Sequence, residues 1–292
     1  MTGTSGHVGG QVAATLSAAG HDVVGFSRSA TPATVCDASV IGDIASAESV
    51  SNLRARVSPC EAIVHSAACT DGRAGVAEHV GSVVGTMHML RLARDWGSTR
   101  FAYMSSTMLY GRPRGVPVSE DDVIVPTGVY HTTKALGEAL VQADSELSQL
   151  FAWASLRLSA PVGKGMRSHR ILPTFVRRAL ASAPLTIAGK GTRCQNYIDG
   201  RDIGRAVDAL LASTWSGALN IAGRETVSNL DLAKLCIAEV RSGSDIRFEG
   251  EDADEGVDWA VDVSRAHEVL GWRAVHTVLD SIREVVEEQR CA

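Results

Sequence analysis

The chain has 292 residues, 45% hydrophobic and 21% charged, which is enough apolar material to fill the core of one large or two intimate domains. Its net charge of -5 comes without a basic stripe or a block of like charge, which argues against nucleic acid or an anionic membrane as partner. Six scattered cysteines, with no C-x-x-C and no histidine spacing suited to zinc, read as reduced thiols and no metal site; with no apolar run of transmembrane length and no signal-peptide pattern, a cytoplasmic protein is expected.

In chain order, the first signal is Gly3-Thr4-Ser5-Gly6-His7-Val8-Gly9, a G-x-x-G-x-x-G pattern leading into a helix-forming run from Gln11 to Ala19 that Gly20 stops. Glycines let the backbone turn tightly and approach a pyrophosphate, whose charge then meets the free N–H groups and positive end of the helix. His21–Phe26 reads as a short strand and completes a β-α-β unit. Only Met1 and Thr2 precede Gly3, whereas a central strand of about 5–6 residues normally feeds such a turn, so most of that strand is expected upstream. Ser27 and Arg28 follow the second strand where an NAD-preferring site usually carries an acid; an arginine there tolerates a 2′-phosphate and favours NADP over NAD.

Val40–Ile44 reads as a third strand, 46–56 as a helix, and Glu61–Ala68 as a fourth strand, with His65 a packed residue beside its end. From 73 to 96 apolar residues recur at steps of three and four, which predicts a helix closed by Gly97. Phe101–Ser106 is a fifth strand, and chemistry in a parallel sheet gathers at the carboxyl ends of such strands, where Ser105 and Ser106 stand. The following helix, to about Leu147, carries Tyr130 and Lys134. Four residues apart on one face, a phenol and an ammonium make a pair in which the cation favours the phenolate, preparing the tyrosine to move a proton. Ala152–Leu158 is a sixth strand.

This alternation predicts a doubly wound parallel α/β sheet, a Rossmann domain over residues 1–158 to which 199–223 return. Beyond Ser159 the pattern loosens into proline- and glycine-rich segments around helices at 174–181, 202–211, 229–240 and 280–288, with a strand at 218–221. These predict a smaller mixed substrate lobe from 159–198 and 224–292.

The glycine turn, Ser105-Ser106-Thr107-Met108-Leu109-Tyr110-Gly111 and, twenty residues later, Tyr130-x-x-x-Lys134 resemble the extended short-chain dehydrogenase/reductases, which include nucleotide-sugar epimerases and dehydratases. The resemblance runs from the glycine turn to Leu270-Gly271-Trp272. It implies Tyr130 as acid/base, Lys134 on the nicotinamide ribose, Ser106 on the reacting oxygen, and a dinucleotide held also by Asp43 and Ile44 at the adenine, by Ala67 and Ala68, and by Pro161 near the nicotinamide. It also implies a homodimer through the helices at 73–96 and 130–147.

Departures narrow the chemistry. Thr107 and Met108 stand where dehydratases of the family carry Asp-Glu, which disfavours elimination of water. Gln195 replaces the arginine that clamps a sugar-nucleotide diphosphate, with Arg193 a nearby substitute, and Ala160 and Ser82 replace two asparagines. The expected activity is NAD(P)-dependent hydride and proton transfer at a secondary alcohol or ketone of a sugar or nucleotide sugar, as epimerase or ketoreductase, with Ser106, Thr107, Arg193 and Gln195 facing the substrate. Reduction of a non-nucleotide ketone and a non-catalytic dinucleotide sensor are the alternatives.

Overall fold

The structure, a computed structural model, describes residues 1–149 and 151–291. The first helix, α1 (His7–Ala18), springs directly from the glycine turn with no side chain capping its N-terminus, and β1 (Val24–Ser27) and β2 (Ala38–Ile41) follow. Ser46 opens α2 (Ala47–Arg56) by accepting the Ser49 N–H at 3.2 Å, as an N-cap serine does. Next come β3 (Ala62–His65) and α3 (Val76–Trp96), the latter closed by Gly97 in the left-handed conformation. β4 (Arg100–Ser106), a 3-10 turn over Thr107–Tyr110, α4 (Val129–Ser148) and β5 (Ala152–Leu158) complete the first half. The second half runs β6 (Ala160–Val162), α5 (Ile171–Leu180), β7 (Leu185–Ala188), β8 (Cys194–Asp199), α6 (Gly200–Leu211), β9 (Gly217–Ile221), β10 (Thr226–Ser228), α7 (Asn229–Val240), β11 (Ile246–Glu249), β12 (Asp258–Trp259), α8 (Ser264–Leu270) and α9 (Val278–Cys291).

Met1 and Thr2 occupy the lane of the sheet that leads into the glycine turn. Thr2 N–H donates to Val64 O and Gly3 N–H to Phe26 O, both at 2.9 Å, so the two residues fill a lane between β1 and β3. The main sheet therefore reads β2, β1, Met1-Thr2, β3, β4, β5, β9, parallel throughout. The chain reverses its direction of travel across the sheet at the Thr2 lane, the position where parallel sheets bind ligands. α1 and α6 cover one face, where Val12, Leu16, Ile203 and Val207 pack on Met104 and Leu156. α2, α3 and α4 cover the other, with Leu53, Met89 and Val141 around Phe26, Phe101 and Tyr103.

The region after Ser159 is more regular than its sequence pattern predicts. β8 lies between β10 and β12 and also pairs with β6, while β7 pairs with β11, and α5, α7 and α9 pack around Leu172, Leu185, Leu232 and Ile282. These strands of two to six residues carry no sustained alternation, so only their partners reveal them. Among the described residues no helix is long and apolar enough to cross a membrane.

Candidate active site

The glycine turn is set by contact with neighbouring backbone. Gly3 has φ +73°, and a side chain there would come within 2.9 Å of Ala67 N; one on Gly9 would come within 2.1 Å of Gly3 O. Ala67 is fixed from the other side, because the Thr2 hydroxyl accepts both the Ser66 and Ala67 N–H at 3.0 Å. An uncapped helix terminus, an exposed Ser5 and small residues at 67 and 68 leave backbone donors open at the sheet's switch point, an arrangement that fits a dinucleotide pyrophosphate. His7, the first residue of α1, has an Nε2 that is buried and unpartnered, and burial pushes its pKa down to about 4, so the turn meets a ligand as a neutral imidazole.

Around the expected adenosine end, Ser27 is buried and donates to Ser29 O at 2.9 Å, while Arg28 is exposed and makes no hydrogen bond or ion pair among the described residues. Asp43 is exposed and accepts the Ala45 N–H at 2.8 Å. Ile44 packs into α3, where a side chain at Gly85 would come within 2.3 Å of it. Pro161 sits in β6 opposite Ile198.

Ser106 ends β4 and Tyr130 lies in the first turn of α4, one on each side of the same strand end. The Ser106 Oγ accepts the Met108 N–H at 3.2 Å. Burial pushes the Tyr130 pKa up, opposed by that hydroxyl and by the field of Arg170. Lys134, which the sequence pairs with this phenol, is not among the groups that shift it. Lys134 Nζ donates to Met104 O at 2.5 Å and lies 6.0 Å from the centre of the Tyr130 ring; burial brings its own pKa down to about 8. Two imidazoles bracket the phenol edge-on, His79 at 6.4 Å and His131 at 5.6 Å. Ser105 has a buried, unpartnered hydroxyl.

The substrate-side expectations separate. The Thr107 hydroxyl donates to Leu158 O at 3.3 Å, part of the wall. Arg193 pairs with Asp254 at 3.2 Å and donates to the Gln195 amide oxygen at 2.7 Å, so its charge is already matched. The cation in the field of Tyr130 is instead Arg170, just before α5, which also acts on His7 and has no ion pair among the described residues. The 163–170 loop lies over the turn, a side chain at Gly165 meeting His7 Cα at 3.9 Å. Sequence reasoning missed Arg170 and His79; the available signal for the first was Lys164, Arg167 and Arg170 recurring within seven residues after β6.

The sequence profile described as the NAD dependent epimerase/dehydratase family matches residues 1–222. The low-salt glycan biosynthesis protein Agl12 of Haloferax volcanii is 28% identical over 254 residues, covering 85% of this chain and 80% of that protein. UDP-glucuronic acid decarboxylase 1 of Danio rerio is 25% identical over 218 residues, covering 70% of this chain but 50% of that protein, so the chain spans about half the length of this relative. A UDP-glucose-4-epimerase from Stenotrophomonas maltophila, solved with bound NAD and formylated UDP-arabinopyranose, shares the fold with TM-score 0.90 over 99% of this chain and 97% of that one, at 23% identity. By the profile match and the glycine turn that carries it, the chain belongs to the NAD-dependent epimerase/dehydratase family of extended short-chain dehydrogenase/reductase enzymes.

Proposed function

We propose that the protein interconverts a secondary alcohol and a ketone on the sugar of a nucleotide sugar, as a 4-epimerase or 4-ketoreductase. The observation that carries this reading is the convergence of Ser106, at the carboxyl end of β4, and Tyr130, in the first turn of α4, where the Ser106 hydroxyl acts on the buried phenol. When bound, the nicotinamide supplies the hydride donor and acceptor at the reacting carbon. Tyr130 holds and moves the proton on the reacting oxygen, and Ser106 orients that oxygen. Lys134 reaches the nicotinamide ribose and stabilises a phenolate once ligand fills the cleft. Thr107, bonded to Leu158 O, and Met108 supply no acid for elimination of water.

Arg170 supports a nucleotide-linked over a neutral substrate, since an unpaired guanidinium beside the phenol suits an anionic group. Arg28, exposed after β1, favours NADP(H). The lobe formed by 159–198 and 224–292 closes on the sugar. Val76, Val80 and Met87 on α3 and Val129, Leu136 and Leu147 on α4 are exposed apolar residues on two helices that pack together, which supports a homodimer through this face.

A panel of UDP- and dTDP-hexoses and their 4-keto forms, incubated with the purified protein, tests the reading. Epimerised sugar with retained nucleotide and no net change in nicotinamide absorbance identifies an epimerase, and stoichiometric loss of NADPH a ketoreductase. Release of carbon dioxide from a UDP-uronic acid, or no turnover of any sugar nucleotide, overturns it.

A further inference from the structure

Tyr103 stands in the middle of β4, 4% exposed, where no substrate can reach it. The Lys134 ammonium lies 4.9 Å from the centre of its ring, closer than to the ring of Tyr130. α4 approaches this ring through Gly137, where a side chain would come within 2.1 Å of the Tyr103 hydroxyl. The helix therefore gives up a side chain one turn beyond Lys134, and the space goes to the phenol.

Thr86 of α3, which acts on that phenol, is tied to the nucleotide turn by a chain of hydrogen bonds whose directions follow from counting protons. Thr2 Oγ1 accepts the Ser66 and Ala67 N–H, so its own proton goes to His65 Nδ1 at 2.8 Å. His65, fully buried and held neutral by that burial, must then carry its proton on Nε2 and donate it to Thr86 Oγ1 at 3.1 Å. Thr86 donates its own proton to Ser82 O at 3.0 Å.

We propose that Tyr103 is a positioning residue for Lys134: its buried ring is the seat that keeps the ammonium charged and in place, and Thr86, His65 and Thr2 anchor that seat to the glycine turn and to the Ala67 amide. The function of the seat rests on the reading of Tyr130 and Lys134 given above; its existence does not. Titratable groups that face the ammonium are Tyr103 and His65 from the sheet and Tyr130 and Glu138 from α4.

The chain contains four lysines, Lys134, Lys164, Lys190 and Lys234, so a lysine-labelled NMR spectrum of the full protein resolves the titration of Lys134, assigned by its loss in Lys134→Arg. Replacing Tyr103 by phenylalanine keeps the ring and leaves the midpoint within a few tenths of a unit. Successive fluorination of that phenylalanine, which drains the ring face at nearly constant shape, lowers the midpoint stepwise by about one pH unit, a tenfold change in proton affinity. Tyr103→Leu lowers it similarly if the variant folds. A midpoint indifferent to fluorination overturns the seat, whatever the sugar-nucleotide assay returns. Stepwise weakening of NADH affinity in the same series links the seat to the nucleotide site.

Discussion

Tyr130, the proton-handling residue of the proposed chemistry, shares Lys134 with Tyr103, whose ring is the nearer of the two to the ammonium. Tyr130→Phe removes the group on which the proposed chemistry turns; turnover of the substrate found in the panel falls by about a hundred- to ten-thousand-fold with NADH affinity retained, as titration of nicotinamide fluorescence would report. Lys134 carries a different signature. Its pKa is depressed to about 8 by burial, so between there and the usual lysine value the folded chain binds fewer protons than the unfolded one, and stability rises with pH across that window. Below about pH 8 the buried ammonium is a cost. Lys134→Met is therefore expected to be more stable than the native chain at pH 7, by about 1–3 kcal/mol in urea unfolding, and to lose that advantage as the pH approaches 10. The reverse order at pH 7 would mean that the seat and the Met104 carbonyl more than repay the desolvation.

At the scale of elements, α4 is held to β5 by a buried ion pair. Arg157 donates to Glu138 at 2.9 Å and to the Tyr110 hydroxyl at 2.8 Å, and Tyr110 donates to Asn220 in β9. Glu138 is one turn beyond Lys134, so this network sets the depth at which the helix presents its site residues. Removing one partner leaves the other charge buried, and Glu138→Ala is expected to cost about 3–5 kcal/mol by denaturant titration. Glu138→Gln, which keeps one accepting oxygen for the guanidinium, costs less. The helices themselves were legible in the sequence: α7 and β5 have the predicted limits, and α2, α3 and α4 begin and end within three residues of theirs. Their caps are local, with Ser46 and Gly97 where the chain must start and stop. The ion pair was not legible, because Arg157 and Glu138 lie on different elements and nothing in either's neighbourhood names the other.

Across the whole molecule, Asp199 at the end of β8 joins α6 to α9. Its carboxylate accepts Ser281 in α9 at 2.6 Å and the fork of Arg201 at 2.8 and 2.9 Å. Burial pushes this carboxyl up, but those donors outweigh it and hold it below the usual carboxylate range. Such a group stabilises above its unfolded pKa and loses that contribution as the pH falls through its folded one. Asp199→Asn is expected to cost about 1–3 kcal/mol at pH 7, a difference that disappears in acid below about pH 3 when both proteins are followed by thermal unfolding. The exposed apolar face on α3 and α4 belongs to the same scale: Leu136→Lys with Met87→Lys should convert a dimer to a folded monomer in sedimentation, and an unchanged sedimentation coefficient would place the contact elsewhere.

By itself the sequence determined the alternation of strands and helices, the glycine turn, and the placement of Ser106, Tyr130 and Lys134 near strand and helix ends, because periodicity, capping and motif spacing act over a few residues. Tertiary structure alone decided the partners. It put Lys134 over Tyr103, placed Met1 and Thr2 in the lane between β1 and β3, and paired Arg193 with Asp254. Those choices join residues from 23 to 62 positions apart, where only the packing of finished elements brings charges and rings within reach.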